Sequence, residues 1–238
     1  MATDRTCRNV AHDHGTIRGA SGVRMKLAIA IATALLSACG GGNGSTTAPI
    51  VPPLRAQGVA LIGDSITEAW NPAFMQGFAP LNLGVAGKTT GYMLSTELPL
   101  VLESHKEIGV LVIDGGINDI HVARSPDAEI MDNIKTMGRI ATEHGIRVIV
   151  ASLMLADYQG AGDYAPTPPA RIEELDQQIL ELCAQEGYEY ADYKDVMLLP
   201  DGTEDFALYQ DGLHPLGAGY VRMWNVLKPL LLDDGITL

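Results

Sequence analysis

Cysteine is scarce in this chain: only Cys7, Cys39 and Cys183 occur among 238 residues. Three thiols cannot form a disulfide framework, and the sole Cys/His grouping, Cys7 with His12 and His14, lies in a leader that processing would remove. Neither a metal site nor a cofactor is therefore expected, and no nucleotide-binding fingerprint occurs. Basic residues are also few, 16 against 29 acidic ones, for a formal charge of -13. Residues 1 to 57 hold six of the basic and two of the acidic side chains, so the remaining body carries -17. Such a body repels phosphate backbones and anionic lipid surfaces, which argues against nucleic acid as a partner. No apolar run reaches the roughly 20 residues of a membrane-spanning helix, and internal repeats are absent.

What is present divides the chain. Met25-Lys26 precedes the apolar stretch Leu27 to Leu36, then Ser37-Ala38-Cys39 and a glycine run. A positive flank, a short apolar core and a small-residue end describe a signal peptide. Residues 1 to 24 hold four arginines and no apolar run, as an overlong start with Met25 the true initiator would, or a long basic leader. Leu36-Ser37-Ala38-Cys39 resembles the lipobox of bacterial lipoproteins, which implies cleavage before Cys39 and lipidation of its thiol. The expected domains are a leader and signal over 1–38, a lipidated cysteine and flexible Gly/Thr/Pro-rich linker over 39–57, and one folded domain over 58–238. The membrane would then be touched only through a lipid anchor at Cys39, in the bacterial envelope, with a secreted protein as the alternative. Gly40, in place of Asp after the cysteine, points to an outer-membrane destination in a Gram-negative source, facing the periplasm.

In that domain apolar runs and helical patterns alternate. Strands are expected at Val59 to Ile62, Leu81 to Val85, Val110 to Asp114, Arg147 to Leu153 and Tyr188 to Tyr193. Between them fall helical patterns from Thr89 to His105, interrupted at Pro99, from Asp127 to His144, from Pro169 to Glu186, and from about Pro215 to Leu232. Nearly continuous apolar strands suit a parallel sheet covered on both faces, so the fold class is a three-layer α/β/α sandwich on a mainly parallel sheet of about five strands. Cys183 falls on the apolar side of its helix and reads as a buried free thiol. The irregular piece from Leu155 to Pro168 is expected to border the site.

Gly63-Asp64-Ser65-Ile66-Thr67 directly follows the first strand and puts a serine hydroxyl where strand turns to helix. Alone, an Asp-Ser pair there is an ordinary helix cap. Three further blocks follow in order: Asn82-Leu83-Gly84, Gly116-Ile117-Asn118-Asp119 and Asp211-Gly212-Leu213-His214. Acyl transfer by a serine needs a base to take its proton, a partner to fix the base's tautomer, and donors for the oxyanion. His214, with Asp211 three residues ahead, fits the base and its partner. His121 is the rival base, without that arrangement; His105 and His144 read as helix-end residues. Gly84 and Gly87 each have a plain structural reading as turn glycines, Asp64 as the residue holding the turn, and Asp119 as a helix cap. No Gly-x-Ser-x-Gly elbow occurs, so the common α/β-hydrolase pattern is absent.

The quartet, in this order, resembles the GDSL family of esterases and lipases, also called SGNH hydrolases, from about Gly58 to the C-terminus. Ile66 stands where the family name has Leu. The resemblance implies Ser65 as nucleophile, His214 as base and Asp211 as its partner. It implies an oxyanion hole of the Ser65 and Gly84 backbone N–H groups and the Asn118 amide. The implied activity is carboxylic-ester hydrolysis through an acyl-enzyme, on small-molecule or glycan esters. The short connections leave no room for a lid, which suits short acyl groups. Alternatives are an O-deacetylase of envelope or plant polysaccharides, a lysophospholipase, or a non-catalytic carbohydrate- or lipid-binding module.

Overall fold

The computed structural model describes residues 58–104, 107–154 and 169–232. The readings on 1–57 and on the 155–168 segment, and that of His105, lie outside these residues.

Strands β1 (Gly58–Gly63), β2 (Leu81–Asn82), β3 (Ile108–Asp114), β4 (Arg147–Ala151) and β5 (Glu189–Ala191) form one sheet in the order β2-β1-β3-β4-β5. Every pairing is parallel. Side chains alternate across a strand, and both faces of this sheet are buried. Ala60, Ile62, Leu111, Ile113, Val148 and Val150 pack against helices α4 (Asp127–Glu143) and α5 (Pro169–Glu186). Val59, Leu61, Val110, Val112, Ile149 and Ala191 meet α7 (Gly217–Leu232) and the aromatic group of Trp70, Tyr193 and Trp224. The expected three layers result. Trp70, 3 % exposed and edge-on to Tyr193, belongs to this core.

Several boundaries differ from expectation: β3 begins at Ile108 rather than Val110, β4 ends at Ala151 rather than Leu153, and three further differences have a clear physical cause. β2 is a ladder of two residues, although Leu83 N–H and Val85 N–H still donate to Leu61 and Gly63 carbonyls beyond it. Tyr188 to Tyr193 shortens to β5, because Tyr193 opens the short helix α6 (Tyr193–Val196) under an Asp192 cap. The helical region after β2 is not broken at Pro99. It runs as α2 (Thr90–Tyr92), a π-helical turn over Met93–Glu97, and α3 (Leu98–Glu103). A π turn already displaces the i−4 carbonyl register, so the ring and missing N–H of Pro99 fall at the start of α3, where both are tolerated.

The strand order places the switch in connection direction at β1 and β3, whose carboxyl ends define the crevice where such sheets bind ligands. Ser65 follows β1 and Asn118 follows β3.

Candidate active site

The turn after β1 is dictated by three neighbouring residues. Gly63 has no Cβ because one would sit 2.5 Å from the Asp114 carbonyl on the adjoining strand. Asp64 then caps α1 (Ser65–Glu68), its Oδ1 accepting the Ile66 N–H at 2.9 Å. Ser65 thus occupies the first helical position, where the backbone N–H has no intrahelical acceptor. Ile66, 5 % exposed, points into the core, where leucine would serve equally.

His214 arrives on the loop before α7. Its Nε2 lies 2.9 Å from Ser65 Oγ and its Nδ1 lies 2.8 Å from Asp211 Oδ2. Asp211 Oδ1 meanwhile accepts the backbone N–H groups of His214 and Leu213, at 2.9 and 3.2 Å. A carboxylate facing Nδ1 puts the proton there and leaves Nε2 bare to accept the serine O–H. Partial burial works against ionisation of Asp211, but these hydrogen bonds outweigh it and hold the carboxyl below its usual range. Ser65, Asp211 and His214 therefore meet as expected, 149 residues of chain apart between serine and histidine. His144, by contrast, is exposed at the end of α4, with Nδ1 2.8 Å from its own Ile140 carbonyl.

Asn118 is 8 % exposed, and its Nδ2 lies 3.1 Å from both Asp64 Oδ2 and the Lys88 carbonyl. Gly84 departs from expectation. Its N–H donates to Asn82 Oδ1 at 3.0 Å, so it is engaged within its own turn. A Cβ there would come within 2.6 Å of Glu68 N, so Gly84 is glycine to let this loop pass α1 closely. Gly87, in the left-handed region at φ +74°, lies on the cavity instead. That cavity, about 330 Å³, is walled by Ser65, Asn118 and His214 with Ala86, Gly87, Ile117, His121, Val122 and Leu213. Sequence reading left Gly87 as a turn residue and His121 only as a rival base. The sign for Gly87 was its place ahead of Lys88-Thr89-Thr90, at the entry to the next helix.

Under the serine turn lies a set of buried acids. Burial, then the charge of Asp114, drives the Asp64 carboxyl well above its usual range, and burial raises Asp114 to about 6. Asp119 does act as a cap, but across the fold: its Oδ2 and Oδ1 accept the Thr90 N–H and hydroxyl at 2.8 and 2.6 Å, at the start of α2. Glu97, 1 % exposed in the π turn, accepts the Gly63 N–H through Oε2 at 2.8 Å, while Oε1 is buried without a hydrogen-bond partner. Burial pushes Glu97 up to about 7. A carboxyl whose folded pKa exceeds its unfolded value binds extra protons in the native state, so stability falls as pH rises from about 4.5 to about 7. Denaturant melts across that range should show this decline, and Glu97→Gln should flatten it; an unchanged slope in the variant would remove Glu97 as its source. Cys183 is buried, and its thiol is pushed up to about 12 by burial and by the charge of Asp176, which suits an inert core thiol.

Among the described residues, no group of His, Cys, Asp and Glu is arranged to hold a metal ion, and no helix is long and apolar enough to cross a membrane.

The sequence model of the GDSL-like lipase/acylhydrolase family matches residues 61–222. Crystal structures with the same fold include a GDSL-like lipase from Bacteroides thetaiotaomicron, 23% identical over 76% of this chain and 91% of that one, TM-score 0.66. A lipase/acylhydrolase from Enterococcus faecalis is 24% identical over 74% of this chain and 95% of that one, TM-score 0.59. A carbohydrate esterase family 3 protein from Talaromyces cellulolyticus is 18% identical over 74% of this chain and 97% of that one, TM-score 0.58. A comparison with curated protein sequences gave no match.

Proposed function

The chain belongs to the GDSL-like lipase/acylhydrolase family, and from that premise we propose that it is a serine esterase acting on short-chain carboxylic esters through an acyl-enzyme. The observation that carries this reading is the continuous line Ser65 Oγ, His214 Nε2, His214 Nδ1, Asp211 Oδ2 opening on the cavity. Ser65 Oγ attacks the ester carbonyl carbon while its proton passes to His214 Nε2. The resulting oxyanion is met by the Ser65 N–H, which at the start of α1 has no intrahelical acceptor, by the Asn118 amide, and by Gly87 in the role first expected of Gly84. To reach the oxyanion, Asn118 Nδ2 must release or share one of its present acceptors, and the Lys88 carbonyl, on the part-buried side, is the one we assign. Collapse breaks the ester C–O bond, and Nε2 returns the proton to the departing alcohol. Water then repeats the sequence on the acyl-enzyme, with His214 again taking a proton, and releases the carboxylic acid.

The cavity's size and its walls of Ala86, Ile117, Val122 and Leu213 favour short acyl groups. A series of 4-nitrophenyl esters assayed on the 58–238 domain should give a kcat/KM maximum between about two and four acyl carbons, falling roughly tenfold or more by about ten. A maximum at long chains would overturn the short-chain assignment. The second reading, an O-deacetylase of polysaccharides, draws on the fold shared with a carbohydrate esterase. Acetylated sugars cleaved much faster than 4-nitrophenyl acetate would favour it. A non-catalytic binding module has no use for a serine hydrogen-bonded to a histidine that a carboxylate orients.

For location we propose attachment through a lipidated Cys39 in the bacterial envelope. Thioether formation needs the sulfur, so Cys39→Ser should abolish both acylation and processing. Intact mass spectrometry of membrane-extracted protein should show a chain beginning at Cys39 with added acyl mass; an unmodified chain beginning elsewhere would refute the anchor.

A further inference from the structure

One buried oxygen of the serine turn is left over from helix capping. Asp64 Oδ1 accepts the Ile66 N–H at 2.9 Å, which is the cap, while Oδ2 lies 3.1 Å from Asn118 Nδ2. A cap alone is filled as well by asparagine or serine, neither of which carries a charge. Here the position holds a carboxyl, 1 % exposed, and burial, then the charges of Asp114, Glu97 and Asp119, raise its pKa. The surroundings therefore penalise an ionised acid at this place, and the helix start does not need one. What asparagine and serine lack is a second acceptor oxygen, since each would spend its only oxygen on the Ile66 N–H.

That second acceptor meets the one oxyanion donor that is a side chain. Backbone N–H groups are fixed by the chain, whereas the Asn118 amide can turn over about its last torsion and exchange its nitrogen for its oxygen. In this structure Nδ2 lies 3.1 Å from both Asp64 Oδ2 and the Lys88 carbonyl, and the carbonyl has no hydrogen to give, so nitrogen must occupy that side. Once the Lys88 bond gives way to an oxyanion, Asp64 is the partner that remains. We propose that Asp64 is a positioning residue for the oxyanion hole, holding one Asn118 hydrogen on Oδ2 so that the other faces the substrate. Through Oδ1 the same carboxyl fixes the helix start that carries Ser65. The inference rests on the esterase reading and deepens it. It holds in either charge state of Asp64, because a protonated carboxyl keeps acceptor capacity.

Two substitutions that both preserve the cap separate this role from a structural one. In Asp64→Asn the Ile66 N–H keeps the amide oxygen, so the new nitrogen replaces Oδ2 and meets Asn118 Nδ2 donor to donor. Asn118 then either turns over, aiming its own oxygen at the oxyanion, or is pushed aside. In Asp64→Ser the shorter hydroxyl caps the helix and leaves Asn118 unsupported but unopposed. Assayed on 4-nitrophenyl acetate, Asp64→Asn should lose about a hundredfold or more in kcat with KM little changed, and Asp64→Ser should lose less. A structural role predicts the reverse order, with the volume-keeping asparagine the milder of the two. On an Asn118→Ala background neither substitution should cost much more, since the group that Asp64 holds is gone. A smaller loss in Asp64→Asn, a loss carried by KM, an Asp64→Ser variant that is the worse of the two, or costs that add in full to that of Asn118→Ala overturn the proposal. If Asp64→Asn does not fold, Asp64→Ser with and without Asn118→Ala still decides by additivity. Wild-type hydrolysis of 4-nitrophenyl acetate that disappears in Ser65→Ala upholds the esterase reading in each of those cases, and its absence in the wild type overturns that reading instead.

Discussion

Ser65→Ala should lower kcat by about a millionfold, His214→Ala by nearly as much, and the double variant by no more than the worse single one. The reason is that the serine and histidine act as one unit across their 2.9 Å hydrogen bond. Without the base, the hydroxyl stays a weak nucleophile; without the hydroxyl, the base has nothing to activate. Residual rate would come from the oxyanion donors and binding alone, roughly 10³ to 10⁴ over water. Both side chains are partly exposed, and truncating them leaves no core cavity, so thermal melts should stay close to the wild type. A fluorophosphonate should label Ser65 in the wild-type domain and nothing in Ser65→Ala. Additive losses in the double variant, or labelling at another serine, would break the assignment.

Asp211→Asn is expected to cost about 10⁴ in kcat with little change in KM, the magnitude known for the equivalent exchange in another serine hydrolase. The backbone decides which way the new amide points. Oδ1 is fixed as an acceptor by the N–H groups of Leu213 and His214, so the nitrogen must replace Oδ2, opposite His214 Nδ1. An N–H donor there forces the imidazole proton onto Nε2, and a protonated Nε2 cannot accept the serine hydrogen. The fold would be intact and the tautomer wrong. A loss of less than about tenfold would show that Asp211 only packs against the loop.

How far the sequence foretold this molecule depends on how local each signal was. Alternating apolar runs and 3.6-residue periodicity revealed the layers, because both come from burial on sheet faces and helix stripes. Ser65, Asp211, His214 and Asn118 were legible because each lies in a short block beside a strand or helix end. Gly84 was misread because a glycine required for close approach to α1 looks, in one dimension, like a glycine offering its N–H. The two π turns left no trace, since one extra residue within a single turn is too short a disturbance to shift a helical pattern. Asp119 capping α2 rather than its own turn was hidden for a different reason: its partner Thr90 lies 29 residues away. His121 was visible as a histidine but not as a wall of the cavity, since that depends on which way a π turn faces it.

The distance in sequence between the two halves of the site has a consequence for biosynthesis. β1 is flanked by β2 and by β3, while His214 and the Tyr220 hydroxyl that bonds the Ile66 carbonyl at 2.9 Å follow β5 in the chain. Emerging from a ribosome amino end first, the serine turn can meet its sheet neighbours once β3 has been made, but not the histidine, which follows 149 residues after Ser65. Chains that stop short of His214 would thus hold a serine turn and a sheet to carry it, but no hydrogen-bonded base beside the hydroxyl, so the site closes last for reasons of topology alone.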